Sequence, residues 1–481
     1  MYALRLWVDF LHYRAGLDNR EKIPHNGGCA DGLAASDEGH RPMAHGSWKG
    51  AHTLGLATAL TLTLLSVAPA QQAAAPAPIK IGIVTFLTGP AAAPFGIPGR
   101  NAAEILVENL NAGKLPAPYN QVGLGGAKIE VKYVDEAGST AQQVTEYRNL
   151  VQRDNVDVVL GYISSGNCLA IVPVAEELQK LTVLNGCGTT RVFEEKPRKY
   201  VFRVNPHATM DNVAAAKYVL DKKKNISVYS GINQNYAWGQ DSWRDFNLSM
   251  KALAPQATTD KVLFPKLFAG EFGAEISALL TSNSQFIHSS FFDGDLESFI
   301  YQSAARGLAQ RIPLLLTAGE TSMFRVGNNL PDGTIIGARG QHALLAPDNP
   351  LNRWLAQTYT DRFSIAPIFP AYHMAQSMLG LKVAWEKAQA KKGGTRPSPD
   401  EVIAAFEGIE VPTPSGSVRL AIGKGHQGIA DTAYGAFHFN KVEGKPELVD
   451  IVRYPAECVN PPADVDSVAW LEGGMIGARC R

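Results

Sequence analysis

From Ile79 onward, short apolar runs alternate with amphipathic helical stretches, and this pattern restricts the chain to βαβ units and parallel sheets covered on both faces. The first run, 79–86, leads through Gly89-Pro90 into a helix whose Ala103, Leu106, Val107 and Leu110 share one face. Gly113 ends it. Strands at 129–134, 156–161 and 182–185 follow, separated by helices at 141–154 and 169–179. Past 200–204 a second series begins, with strands at 226–230, 261–263, 285–292, 313–317 and 334–336. Its helices fall at 242–253, 275–280 and 296–307, and further helices at 351–363 and 371–390 run up to a loop at 391–398. The tail from Gly416 is β-rich, with short strands at 436–440 and 449–454. The pattern predicts an α/β fold of two doubly wound parallel-sheet lobes joined by a hinge that the chain crosses more than once. The first lobe is expected over 79–205 plus about 341–430, the second over 206–340 plus about 431–481.

The N-terminus follows other rules. Residues 54–67 form an apolar segment, preceded by Lys49 and followed by Ala68-Pro69-Ala70. A basic flank, a short apolar run and a small-x-small exit make 43–70 a secretory signal peptide, with cleavage at or near Gln71. The segment is shorter than the roughly 20 residues a membrane span needs. A buried core helix is the alternative, but the Ala/Pro/Gln-rich linker 71–78 separates it from the first strand. Residues 1–42 lack periodicity, and we expect Met43 to be the true start, the prefix being an over-extended reading frame. A genuine extension is the other possibility.

With 45 basic and 45 acidic side chains the chain carries no net field to attract nucleic acid. Beyond Cys29 in the prefix there are four cysteines, Cys168, Cys187, Cys458 and Cys480. An even number in an exported chain is compatible with two disulfides. We expect Cys168–Cys187, just past neighbouring strand ends, and Cys458–Cys480, fastening the tail. No Cys-x-x-Cys or His-rich spacing points to a metal, and no cofactor is expected.

In doubly wound sheets ligands sit beyond the carboxyl ends of the strands. The turn after the first strand, Thr88 to Gly96, lacks the Gly-x-Gly-x-x-Gly spacing of a dinucleotide site, and its prolines remove backbone donors. The third strand ends in Gly161-Tyr162-Ile163-Ser164-Ser165-Gly166-Asn167, directly before a helix. Hydroxyls and free N–H groups there suit a carboxylate, although simple helix capping is equally consistent. The fourth ends in Asn185-Gly186-Cys187-Gly188-Thr189-Thr190, small residues that leave amides approachable. Two such adjacent ends favour a ligand cradle.

The succession Ile81-Gly82-Ile83-Val84, Thr88-Gly89-Pro90, Gly161, Ser164-Ser165 and Thr189-Thr190 resembles the type I periplasmic binding proteins of the branched-chain amino acid kind, which serve ABC importers. The likeness spans residues 79–455 in order, through short motifs. It implies that Ser165, with Ser164 beside it, and Thr189 or Thr190 hold a ligand carboxylate, with Gly188 contributing backbone. It further implies aromatic contacts from Phe95, Tyr236, Trp238 and Phe292, and a ligand ammonium received by Glu320. Each aromatic residue is equally compatible with a place in the core, and Glu320 with a solvated loop. Asn185-Gly186-Cys187-Gly188 departs from the serine-proline-rich turn of amino-acid binders; relatives with altered pockets take aromatic acids, amides, urea or other carboxylates.

Catalysis finds no support: there is no Gly-x-Ser-x-Gly and no His-Glu-x-x-His, and His207 and His426 have no Ser or Cys motif nearby. The expectation is therefore a monomeric periplasmic solute-binding protein. It captures a small carboxylate, an amino acid in the first instance, by hinge closure and delivers it to an ABC permease of the inner membrane. A ligand-sensing receptor or regulator of the same fold is the alternative function.

Overall fold

The computed structural model describes residues 76–480. The expected over-extended start, the signal peptide and most of the linker lie outside them. Strand β1 (Ile79–Thr85) is buried at every position except Lys80, as a strand covered on both faces must be. It pairs in parallel with β2 (Ile129–Asp135) and β3 (Val158–Gly161). Strands β4 (Thr182–Leu184) and β5 (Val201–Arg203) extend the sheet in parallel. The chain then leaves, and β6 (Val228–Ile232), β7 (Thr258–Leu263), β8 (Ile287–Ser289), β9 (Leu314–Leu316) and β10 (Ile335–Gly337) build a second parallel sheet.

Both sheets are completed from the C-terminal part. β11 (Glu410–Thr413), β12 (Gly416–Ile422) and β13 (Gln427–Ile429) join the first, giving the order β11-β12-β13-β5-β4-β3-β1-β2. β14 (Thr432–Asn440) and β15 (Lys445–Tyr454) join the second antiparallel, giving β15-β14-β10-β9-β8-β6-β7. The chain thus passes between the sheets after β5, after β10 and after β13. Two doubly wound sheets linked by several crossings are the predicted architecture.

Helices cover both sheets. Ile97–Ala112 buries Ala102, Ala103, Ile105, Leu106 and Leu110, packs on the helix Phe369–Lys391, and ends at Gly113 with φ 64°, the left-handed conformation glycine adopts freely. Ile81, Ile83, Leu106 and Tyr372 belong to one apolar cluster, in which each fully buried aliphatic side chain contributes about 1.5–3 kcal/mol. The disulfides join Cys168 to Cys187 and Cys458 to Cys480. Among the described residues, no helix is long and apolar enough to cross a membrane.

The differences from expectation have physical reasons. A helix at Ala208–Lys222, absent from the sequence reading, buries all nine residues from Ala208 to Ala216, so it shows no amphipathic stripe. The helix Pro399–Phe406 begins with a capping box of Ser398 and Glu401 and a proline in its first turn, signals that do stand in the sequence. Glu320 opens a short helix, Glu320–Val326, rather than sitting in a solvated loop. The helix expected from 169 starts at Ser165, which places that serine in its first turn.

Candidate functional site

The carboxyl ends of β1, β3 and β4 face those of β6, β8 and β10 across a cleft. Phe95 reaches it from the π-helical turn Ala92–Gly96. Gly96 permits that turn: a Cβ there would lie 1.6 Å from the carbonyl oxygen of Phe86. The Phe95 ring meets Phe292 edge-on, with centroids 5.1 Å apart, and Phe369 at 5.0 Å. Tyr236 stands 6.0 Å from Phe292. Trp238 closes the far wall and donates its indole N–H to the carbonyl of Ser290 at 2.9 Å.

The polar floor comes from the β3 and β4 ends. Ser165 Oγ accepts hydrogen bonds from the amides of Gly188 (3.2 Å) and Thr189 (3.3 Å), which leaves its own O–H to donate into the cleft. Gly188 lies under Trp238 and Arg339 so closely that a Cβ would meet the indole at 2.2 Å and the guanidinium at 2.6 Å. Ser165, Gly188, Phe95, Tyr236, Trp238, Phe292 and Arg339 line one cavity.

Arg339 is the residue sequence reasoning misses. It lies on the crossing after β10, with φ 49°, and is 4% exposed. Its guanidinium stacks over Trp238, the central carbon 4.2 Å from the ring centroid. Nε donates to Asp211 (3.3 Å), and the two terminal nitrogens donate to the carbonyls of Gly186 and Pro206. Three N–H groups are thus engaged, and the others are free to meet a carboxylate. The only sequence signal is an arginine between glycines at a strand end, Gly337-Ala338-Arg339-Gly340.

Other expected residues fall elsewhere. The amides of Ile163 and Ser164 are taken by the chain's own Glu136, at 2.7 and 2.8 Å, with the Asn167 side-chain amide at 3.2 Å. This internal carboxylate occupies the position read as an open anion site. Burial pushes its pKa up to about 7 against the pull of those hydrogen bonds. Ser164 instead caps its helix and borders an outer chamber of about 380 Å³, walled by Phe86, Pro90, Leu267 and Phe292. The Thr189 hydroxyl donates to Asp241 of the opposite side at 2.5 Å. Thr190 points away, into a space beside Arg203 and His207. Glu320 is fully buried behind Phe369, accepts its backbone N–H at 3.1 Å, and is absent from the cavity lining; burial pushes its pKa up to about 8.

The assembled cleft is aromatic on its walls and cationic at its base. The space beside Arg339 is only about 10 Å³, and it shares Phe292 with the larger outer chamber.

Known proteins resemble this chain at several levels. A family model described as periplasmic binding protein matches residues 78–437. Leu/Ile/Val-binding protein homolog 3 of Brucella melitensis is 31% identical over 169 residues, 35% of this chain and 42% of that protein, so the match spans about two fifths of the curated relative. Among solved structures, an R. palustris ABC-transporter solute-binding protein in complex with benzoate superposes with TM-score 0.65 at 19% identity, covering 78% of this chain and 96% of that one. A second from Rhodopseudomonas palustris, in complex with 3,4-dihydroxybenzoic acid, gives TM-score 0.68 at 18% identity, with 81% and 99% covered.

Proposed function

We propose, of a chain that belongs to the periplasmic binding protein family, that it is the extracytoplasmic solute-binding component of an ABC importer and that its ligand is an aromatic carboxylate. The carrying observation is Arg339: a buried guanidinium with N–H groups to spare, at the base of a cleft walled by Phe95, Tyr236, Trp238 and Phe292. A charge-assisted hydrogen bond in such a site contributes about 1.5–3 kcal/mol, and the aromatic walls favour a flat ring over an aliphatic side chain. The benzoate and dihydroxybenzoate held by the two structural neighbours agree with this reading. An amino-acid ligand has less support, because Glu320 lies behind Phe369 and none of the described side chains that line the cavity is acidic.

In this reading the lobes, 79–205 with about 341–430 and 206–340 with about 431–481, part and close about the three crossings, and the ligand favours closure by contacting both. Residues 43–70 direct export to the periplasm, the protein acts as a monomer, and it performs no chemistry of its own. The permease recognises the closed surface. Calorimetric titration with benzoate, phenylacetate, phenylalanine and leucine tests the ligand class. Binding of leucine alone would exclude the aromatic carboxylate. Capture of the closed form by the cognate permease distinguishes transport from a sensory role.

A further inference from the structure

Behind Phe95 lies a second small cavity, lined among others by Ile163, Asn185, Gly186, Phe369 and His373. It shares Phe95, Ile163 and Gly186 with the cavity at Arg339. Gly186 has φ 118°, and a Cβ there would come within 3.9 Å of His373 Nδ1, so the missing side chain keeps the two spaces adjacent.

Two polar atoms in this inner cavity have no hydrogen-bond partner: Nδ1 of His373 and Oδ1 of Asn185, on residues 1% and 3% exposed. His373 Nε2 faces the carbonyl oxygen of Arg339 at 3.3 Å, so Nε2 carries the proton and donates. Nδ1 is then a bare lone pair. Burial first, and the nearby His342 and Arg339 next, hold the imidazole neutral. The Asn185 amide nitrogen faces the sulfur of Met374 at 4.0 Å, which leaves its oxygen as a second bare acceptor. A buried acceptor left unpaired has given up its water without a replacement, which is unfavourable for each of the two.

We propose that the ligand's ring bears a hydroxyl group whose one O–H is shared between His373 Nδ1 and Asn185 Oδ1 while its carboxylate meets Arg339 and Ser165. This rests on the aromatic-carboxylate reading and narrows it to hydroxy-substituted acids. A site built to accept a hydrogen bond rejects the analogue that cannot donate one. A cationic amine fits less well, because the guanidiniums of Arg203 and Arg339 repel it.

The test titrates the full chain with benzoate, 3-hydroxybenzoate, 4-hydroxybenzoate and 4-methoxybenzoate. At least one hydroxybenzoate is expected to bind ten-fold or more tightly than benzoate, and the methoxy acid, which has no proton to donate, to lose that advantage. His373→Phe and, independently, Asn185→Leu should each reduce the advantage to within about three-fold, read as the ratio of hydroxybenzoate to benzoate affinity within the same variant. Equal wild-type affinity for benzoate and both hydroxybenzoates overturns the hydroxyl subsite and leaves the aromatic-carboxylate reading standing. An advantage that survives both substitutions in folded protein also overturns the assignment. Failure of all four acids to bind overturns the aromatic-carboxylate reading and the subsite with it.

Discussion

The hydroxyl of Thr189 donates to the carboxylate of Asp241 across the cleft, at 2.5 Å, and so ties the end of β4 to the helix Ala237–Leu253 of the other side. Asp241 is also paired with Arg244 at 3.0 Å, so its carboxylate keeps a partner when the threonine hydroxyl is removed. Thr189→Val should therefore weaken closure without unfolding the protein. A hydrogen bond to a charged group contributes about 1.5–3 kcal/mol, so ligand affinity should fall ten-fold or more. Small-angle scattering of the unliganded variant should show a larger radius of gyration than the wild type. Unchanged affinity and scattering would mean that the clasp has no part in closure.

Arg339→Lys keeps a positive charge but has no planar fork to serve Asp211, the Gly186 carbonyl and a carboxylate together. Affinity for aromatic acids should drop by ten- to a hundred-fold, about 1.4–2.8 kcal/mol. Tryptophan emission should shift as well, because the guanidinium lies over the Trp238 ring. Retained affinity would move the carboxylate away from this residue.

Glu320 gives the protein a pH signature. Its folded pKa, pushed up to about 8, exceeds the ordinary 4.5, so the folded state holds a proton that the unfolded state releases between those values. Stability from this group is therefore lost as pH rises from about 4.5 to about 8, at up to ~1.4 kcal/mol per pH unit. Glu320→Gln keeps an acceptor for the Phe369 amide and carries no titrating proton. The variant should gain on the wild type in melting temperature between pH 5 and 8 and run parallel to it above. Parallel curves throughout would refute the assignment.

The Cys168–Cys187 bridge closes a separation of 19 residues and ties the helix that carries Ser165 to the turn that carries Gly188. In the chain-entropy account a loop of that length contributes about 3 kcal/mol. Cys168→Ser with Cys187→Ser should lower the unfolding midpoint, and ligand affinity with it, since the amides meeting Ser165 lose their anchor. Denaturant titration of both forms measures the first effect and calorimetry the second.

How far the sequence carries depends on whether a role is local. Ser165, Gly188 and the cysteines are placed by their nearness to strand ends, and strand ends are legible from apolar runs and the helices that follow. Arg339 is not, because its place depends on a positive φ that folds the crossing back over Trp238. Glu136 is hidden for a similar reason: its partners lie 27 and 28 residues away, and only the packed sheet brings them together. His373 sits within a helix buried along most of its length, where a polar residue carries no periodic mark. The Ser398 and Glu401 cap, by contrast, is written out in four consecutive residues.

The threefold passage of the chain between its sheets governs how the molecule is assembled. β5 keeps an open edge until residues 427–429 arrive to pair with it, and β10 until β14 does. The first sheet is incomplete in a nascent chain that stops short of Ile429, and the second in one that stops short of Tyr454. Pairing across such separations, parallel for β13 and antiparallel for β14, is slow and leaves strand edges open to other chains while it waits. On the export reading proposed above, the polypeptide would therefore cross the membrane unfolded and complete both lobes only afterwards.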